Sequence, residues 1–139
     1  MKSLTTLIAA LLVLSSNVSA ATLSIELVDI TASTGTIGVQ LVDSKAIFDG
    51  GGKPVAAKQI KATGVETISL KFEDLKPGKY AVMVMHDEND NGKLDSNILG
   101  IPKEGYGFSN NPNVMRRPTF EEAMIEVEAA DKAITINIL

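Results

Sequence analysis

Alternation of apolar and polar residues at a period of two decides what this chain can fold into. It runs through Leu23-Ser24-Ile25-Glu26-Leu27, Ile37-Gly38-Val39-Gln40-Leu41, Ile68-Ser69-Leu70-Lys71-Phe72 and Ile134-Thr135-Ile136-Asn137-Ile138. Neighbouring side chains of a strand point to opposite faces, so each run turns one face to a core and the other to water. The segment Lys79 to His86 (KYAVMVMH) is apolar on both faces, as a central strand covered on both sides would be. Met124 to Glu128 is a shorter strand candidate. The one helical turn expected lies at Pro118 to Ala123, where Thr119 can cap and Glu121 and Glu122 fall in the first turn.

Turn residues separate these runs: Ser33-Thr34-Gly35, Gly50-Gly51-Gly52 and Leu75-Lys76-Pro77-Gly78-Lys79-Tyr80. Short strands so spaced predict an all-β protein. The predicted architecture is an Ig-like or transthyretin-like antiparallel β-sandwich of about seven strands, with a long loop after the central strand. Its core would take Leu23, Ile25, Leu27, Ile37, Val39, Leu41, Ile68, Leu70, Phe72, Ile134, Ile136 and Ile138. The Leu-x-Pro-Gly-x-Tyr pattern is similar to the corner of such sandwiches, where a tyrosine bonds back to the backbone. Tyr80 reads equally well as a half-buried aromatic.

Residues 1–20 read as a signal peptide. Lys2 gives a positive start, Leu4 to Leu14 (LTTLIAALLVL) an apolar stretch, and Val18-Ser19-Ala20 the small residues before a cut ahead of Ala21. The apolar run falls short of the roughly 20 residues of a membrane-spanning helix. With no Cys near the cut, a lipid anchor is not expected. These features predict a periplasmic or secreted protein without a stable membrane anchor, and a single domain over residues 21–139. Removing Lys2 from 13 basic residues leaves 12 against 17 acidic ones, a net charge of −5. That balance argues against nucleic acid, or an anionic membrane, as the partner. The chain has no Cys, so a packed core or a bound ion must supply what disulfides would.

Asp87 to Pro118 has no sustained periodicity. Connections this long are rare unless functional or disordered, and Leu94, Ile98, Leu99, Ile101, Tyr106 and Phe108 predict burial rather than disorder. Within it, Asp87-Glu88-Asn89-Asp90-Asn91-Gly92-Lys93-Leu94-Asp95 matches the first nine positions of the EF-hand calcium loop. Ca²⁺ wants six to eight oxygens. Short Asp and Asn side chains on alternate residues can supply them where the backbone coils around one point. Gly92 allows the sharp turn, Lys93 would offer its carbonyl, and Leu94 would point into the core. The twelfth position is Ile98 rather than Glu, and the flanking segment reads as a strand, so the loop is not an EF-hand. Glu104, after a reversal at Gly100 and Pro102, would supply the missing ligand. The candidate metal site is therefore Asp87, Asn89, Asn91, Lys93, Asp95 and Glu104, with Ca²⁺ as the ion. Few formal charges predict a dissociation constant of roughly 10⁻⁴–10⁻³ M. The other reading is a plain Asn-Gly hairpin turn in a solvated acidic loop.

Other chemistry is poorly supported. His86 is the only His and ends an apolar strand, where a structural bond suits it better than catalysis. A Ser109, His86, Asp87 triad can be written, yet no nucleophile elbow surrounds Ser109. Asp87 with Glu104 would be a glycosidase pair with little room for a cleft. Tyr106 and Phe108, between glycines, read either as a ligand platform or as plugs that seat the loop. Arg116 and Arg117 form a basic spot that pairs with carboxylates or meets a partner.

The string HDENDNGKLDSNILGIPKEGYGFSNN at His86 to Asn111 resembles the signature of a family of exported bacterial proteins, domain of unknown function 2141. The PGKYAVMVMHDEN approach and Pro-Thr-Phe-Glu-Glu-Ala at Pro118 to Ala123 extend the resemblance over nearly all of residues 21–139. It implies an exported β-sandwich and no activity, so no catalytic residues carry over. The expected function is a calcium-stabilised binding or interaction module, not an enzyme, with an envelope protein or a glycan as partner. The alternatives are a metal-free structural subunit and a small hydrolase.

Overall fold

The computed structural model describes residues 19–139. The expected signal segment lies almost wholly outside them. The first strand, β1 (Ala21–Val28), begins at the residue after the expected cut. It is followed by β2 (Thr36–Val42), a helical turn α1 (Lys45–Phe48), β3 (Ala56–Lys61), β4 (Ile68–Leu75) and β5 (Gly78–Asp87). After the long connection come β6 (Tyr106–Phe108), α2 (Phe120–Ala123), β7 (Ile125–Val127) and β8 (Lys132–Asn137).

The described strands form two sheets. One has the order β4-β1-β8, and the other β3-β2-β5-β6, with β7 also on β5. The alternating runs set the register. Ile25 lies opposite Leu70 on β4 and Ile134 on β8, and Val39 lies opposite Val84 on β5. The inward residues of both sheets share one core, which holds Leu23, Ile25, Leu27, Val39, Leu41, Phe72, Val82 and Ile136. All twelve residues predicted for the core belong to it or, like Ile68 and Ile134, pack half-buried against it. Each fully buried aliphatic side chain contributes about 1.5–3 kcal/mol.

The fold is all-β, with two departures from the sequence reading. The pair β1–β8 is parallel rather than antiparallel. The described strands number eight against about seven expected, and β3 and β6 are the two that alternation does not mark. β3 (AAKQIK) is a largely exposed edge strand without alternation. β6 has only three residues, and Gly107 at its centre has no side chain to mark a buried face.

β5 is the hinge of the design. Tyr80, Val82 and Val84 face the shared core, while Ala81 and Met83 face a second cluster with Val42, Phe48, Phe120 and Ala123. That explains a run apolar on both faces. The helical turn α2 closes the second cluster and begins with a capping box. Thr119 accepts from the Glu122 N–H while Glu122 accepts from the Thr119 N–H. Tyr80 donates its hydroxyl to the Lys76 carbonyl at 2.7 Å, the corner bond expected of the Pro-Gly-x-Tyr pattern.

Candidate metal centre

The calcium-loop pattern starts where β5 leaves its sheet. Asp87, the last residue of β5, is buried, and its carboxylate turns into the loop. Oδ1 accepts the Asn91 N–H at 3.0 Å and Oδ2 accepts the Gly92 N–H at 2.6 Å. Gly92 has φ +80° and Asp90 φ +56°, so the chain coils tightly past both. Asn91 Oδ1 accepts the Lys93 N–H at 2.9 Å, and Asn89 Oδ1 accepts the Asn91 N–H at 3.2 Å.

The side chains of the pattern converge on Asp95. Asn89 Nδ2 donates to it at 2.6 Å, and Asn91 Nδ2 reaches both of its oxygens at 3.0 Å. The Asn91 and Asn89 amides, more than Lys103 and Lys93 nearby, hold the Asp95 carboxyl below the usual carboxylate range. Asp95 is therefore an anion with amide N–H groups gathered on it, in the position where a cation would draw the amide oxygens instead. The Asn89, Asn91 and Asp95 side chains are thus brought together, while the Asp87 carboxylate holds the Asn91 and Gly92 backbone N–H groups. Lys93 is exposed.

Glu104 does reach the loop, through the reversal expected at Gly100 and Pro102. It is buried, and it bridges the loop's two ends. Oε1 accepts the Glu88 N–H at 3.0 Å and Oε2 the Asp95 N–H at 2.8 Å. Among the described residues no group of three or more His, Cys, Asp or Glu side chains is placed to hold a metal ion. A cation here would depend on the Asn side-chain and backbone oxygens as well as on Asp87 and Asp95.

Neighbouring strands support the loop through residues that the pattern does not name. Asp90 accepts from Thr36 Oγ1 at 2.6 Å and from Lys61 Nζ at 2.8 Å, which ties the loop's tip to β2 and β3. His86 lies in the wall. Its Nε2 meets the Thr34 carbonyl at 2.8 Å, so Nε2 carries the proton and donates. Thr34 Oγ1 in turn donates to the Glu88 carbonyl. No motif flags Thr36 or Lys61. Their only trace in the sequence is a free acidic residue, Asp90, at a position that calcium loops leave unused.

Two expectations for the segment fail. Leu94 is only half-buried and lies in neither core cluster. Ile98, Leu99 and Ile101, expected inside, are 102%, 78% and 56% exposed. The shared core is filled by strand residues from both sheets, and a turn held by its own hydrogen bonds has no need of it.

The remaining candidates are spread apart. Ser109 is buried at the height of Val82, accepting its N–H at 2.8 Å and donating to the Ala123 carbonyl. His86 is four residues further along β5, about 13 Å at the rise of an extended strand. No Ser109–His86 pair forms, and Asp87 is engaged with loop amides. Phe108 packs its ring 5.9 Å from Phe48, and Tyr106 stands 6.2 Å from Phe108, so the aromatics do seat the loop. Arg116 forms two bonds to the Glu122 carboxylate, and Arg117 lies over the Phe48 ring.

The family model described as "Uncharacterized protein conserved in bacteria (DUF2141)" matches residues 25–135, and the chain belongs to that family. No curated protein matches the chain, and no solved structure matches it.

Proposed function

We propose that this member of the bacterial DUF2141 family is an exported binding or interaction module, not an enzyme, stabilised by one Ca²⁺ in the loop Asp87 to Asp95. The observation that carries the reading is the gathering of Asn89 and Asn91 on Asp95 in a coiled loop whose amides Asp87 holds, in the order and spacing that calcium loops use. Ca²⁺ would turn the Asn89 and Asn91 side-chain oxygens inward and release their N–H groups from Asp95. The Lys93 carbonyl would join them. Glu104, like Asp87, accepts one backbone N–H on each oxygen, and would close the ion's shell with a remaining lone pair while it holds the loop ends together.

The signal-like residues 1–20 support export to the periplasm or beyond, where millimolar calcium makes a weak site useful. Two sheets sharing one core, and the Tyr80–Lys76 corner bond, support a sandwich of the Ig-like or transthyretin-like kind. An envelope protein or a glycan remains the partner class that an acidic exported module would serve.

A second reading has its own support. The loop's amides already satisfy Asp95, so it can stand as a metal-free element of a structural subunit. Melting separates the two. An ion at ten times its dissociation constant stabilises by about 1.4 kcal/mol, a rise of several degrees for a domain of this size. Mg²⁺ should do less, because it demands a tighter octahedron. Equal melting curves in millimolar Ca²⁺ and in chelator would leave only the metal-free reading. Intact mass of the protein recovered outside the cytoplasm tests export, and retention of residues 1–20 would refute it.

A further inference from the structure

His86 is 1% exposed, yet only one of its ring nitrogens has a partner among the described residues. Nε2 donates to the Thr34 carbonyl, which leaves Nδ1 as a bare lone pair. No side-chain nitrogen or oxygen of the described residues is sealed from solvent without a partner, so Nδ1 reaches open space. That space is a hollow of about 380 Å³, bordered by residues that directly follow β1, β5 and β8. Gly105 keeps the approach clear. A methyl group on it would stand 3.3 Å from the His86 Cβ and 3.8 Å from Nδ1. Buried lone pairs are normally taken up by a donor, and no described protein group supplies one here.

We propose that this hollow binds a small organic cation, a guanidinium head on an apolar stem, which donates N–H bonds to His86 Nδ1 and to the carboxylates around it.

Charge selects a cation. Asp29, Glu88 and Glu104 border the hollow against a single cationic side chain, Lys103, a net charge of −2. Neither Asp29 nor Glu88 forms an ion pair among the described residues. An anionic ligand would meet three groups of its own sign.

Spacing selects a molecule over a bare ion. Among the described residues no three acidic or His side chains are placed to hold one metal. A guanidinium instead spreads five N–H donors over a rigid planar fork, and so reaches acceptors that stand apart.

The rest of the lining selects plane and stem. Tyr106, half-buried, brings an aromatic ring to the hollow. Guanidinium groups stack on such rings, whereas an ammonium is a compact and strongly hydrated charge. Ile138 and Leu139 add apolar surface against which methylenes pack. Nothing in this site requires an ion in the neighbouring loop, so it is tested in chelator.

His86 is the only His of the chain, so isotope labelling of imidazole nitrogens gives one pair of ring signals by NMR. Residues 21–139, which supply both sheets and every described strand, are titrated with butylguanidinium and with butylurea, a neutral probe of nearly the same shape. Butylguanidinium is expected to shift the Nδ1 signal saturably and to leave Nε2 almost in place. Butylurea should bind about tenfold more weakly. Asp29→Asn with Glu88→Gln keeps the shape of the border and removes two charges, which should weaken the cation about tenfold. Both residues lie outside the two core clusters, so an unchanged melting temperature shows that the variant is folded. The butylurea comparison needs no variant. An Nδ1 signal that stays in place at high millimolar butylguanidinium overturns the proposal and leaves water as the partner of Nδ1. A starting spectrum with the proton on Nδ1 overturns it as well. So does equal binding of butylurea, or undiminished binding of the cation by the folded double variant, because charge then selects nothing.

Discussion

Gly35 lies so close against Asp87 that a methyl group on its α-carbon would stand 2.0 Å from the Asp87 carbonyl oxygen. No real side chain tolerates that distance. The turn between β1 and β2 therefore presses on the root of the calcium-pattern loop. It is fixed there by the His86 bond to the Thr34 carbonyl and by the Thr34 bond to Glu88. The loop hangs from a wall made by a different part of the chain, which any substitution in the turn would disturb.

Gly35→Ala should destabilise strongly for two reasons. Its φ of +82° costs an L-residue about 1–2 kcal/mol, and the added methyl must push backbone aside. Gly50→Ala is the control, with φ +96° and nothing within 4 Å of its would-be methyl. Urea denaturation should show Gly35→Ala losing clearly more stability than Gly50→Ala. Equal losses would mean that the close approach to Asp87 carries no energetic weight.

Glu104→Gln keeps the shape of the bridge but replaces one acceptor oxygen by an NH₂ group. Either the Glu88 or the Asp95 N–H then faces a donor. Leaving a buried donor unsatisfied costs about 1–3 kcal/mol. Amide hydrogen exchange should speed up at Glu88 and Asp95 while the β1 and β2 amides keep their protection. Unchanged exchange at both loop ends would remove Glu104 from the role of bridge.

The strands with clean alternation were legible because burial on one face leaves a period-two imprint. Leu23, Ile25 and Leu27, with Ile37, Val39 and Leu41, are core residues for that reason. Thr119 with Glu122 was legible as a cap because capping is local chemistry. β3 was not, since an edge strand with Lys58 and Lys61 exposed owes its place to pairing with β2 rather than to burial. Of the candidate site, the spacing pointed to Asp87, Asn89, Asn91 and Asp95. It could not show that Glu104 bonds to backbone, or that Lys61 and Thr36 hold Asp90. Those contacts join residues distant in sequence and leave no periodic trace. Ile98, Leu99 and Ile101 were misread because hydrophobicity predicts burial on average, and it says nothing of a turn that Asn97 closes by itself.

Glu122 should show the clearest acid response in the described structure. The two hydrogen bonds from Arg116, joined by the Thr119 N–H, lower its pKa from 4.5 to about 2. A carboxyl with a depressed pKa stabilises the fold above its unfolded value and loses that contribution as pH falls through the folded one. The contribution is thus full above about pH 4.5 and gone by about pH 2. Because the pair is exposed to solvent, added salt should weaken it. Arg116→Gln should raise the Glu122 titration midpoint, followed by NMR, towards 4.5. It should also narrow the acid-dependent part of the melting curve in that window. The same midpoint in both proteins would show that Arg116 is not the cause.

At Asp87 the ion can be separated from the loop's own bonding. Asp87 has two tasks: its oxygens hold the Asn91 and Gly92 amides, and in the calcium reading it is the charged first ligand. Asp87→Ala should therefore lower the melting temperature even in chelator, since two amides lose their acceptor, at about 1 kcal/mol or more. The ion is read from a difference instead, the shift between calcium and chelator within each variant. That shift should vanish in Asp87→Ala. It should survive in Glu88→Ala, because position 88 is not a ligand position and its backbone N–H still donates to Glu104. Asp87→Asn sharpens the comparison, since its remaining oxygen keeps one amide while the charge is lost. The calcium shift should then fall well below that of wild type, with less of the chelator penalty seen for alanine. A full calcium shift in Asp87→Ala would move the ion away from this loop, whatever the mutation does to the fold.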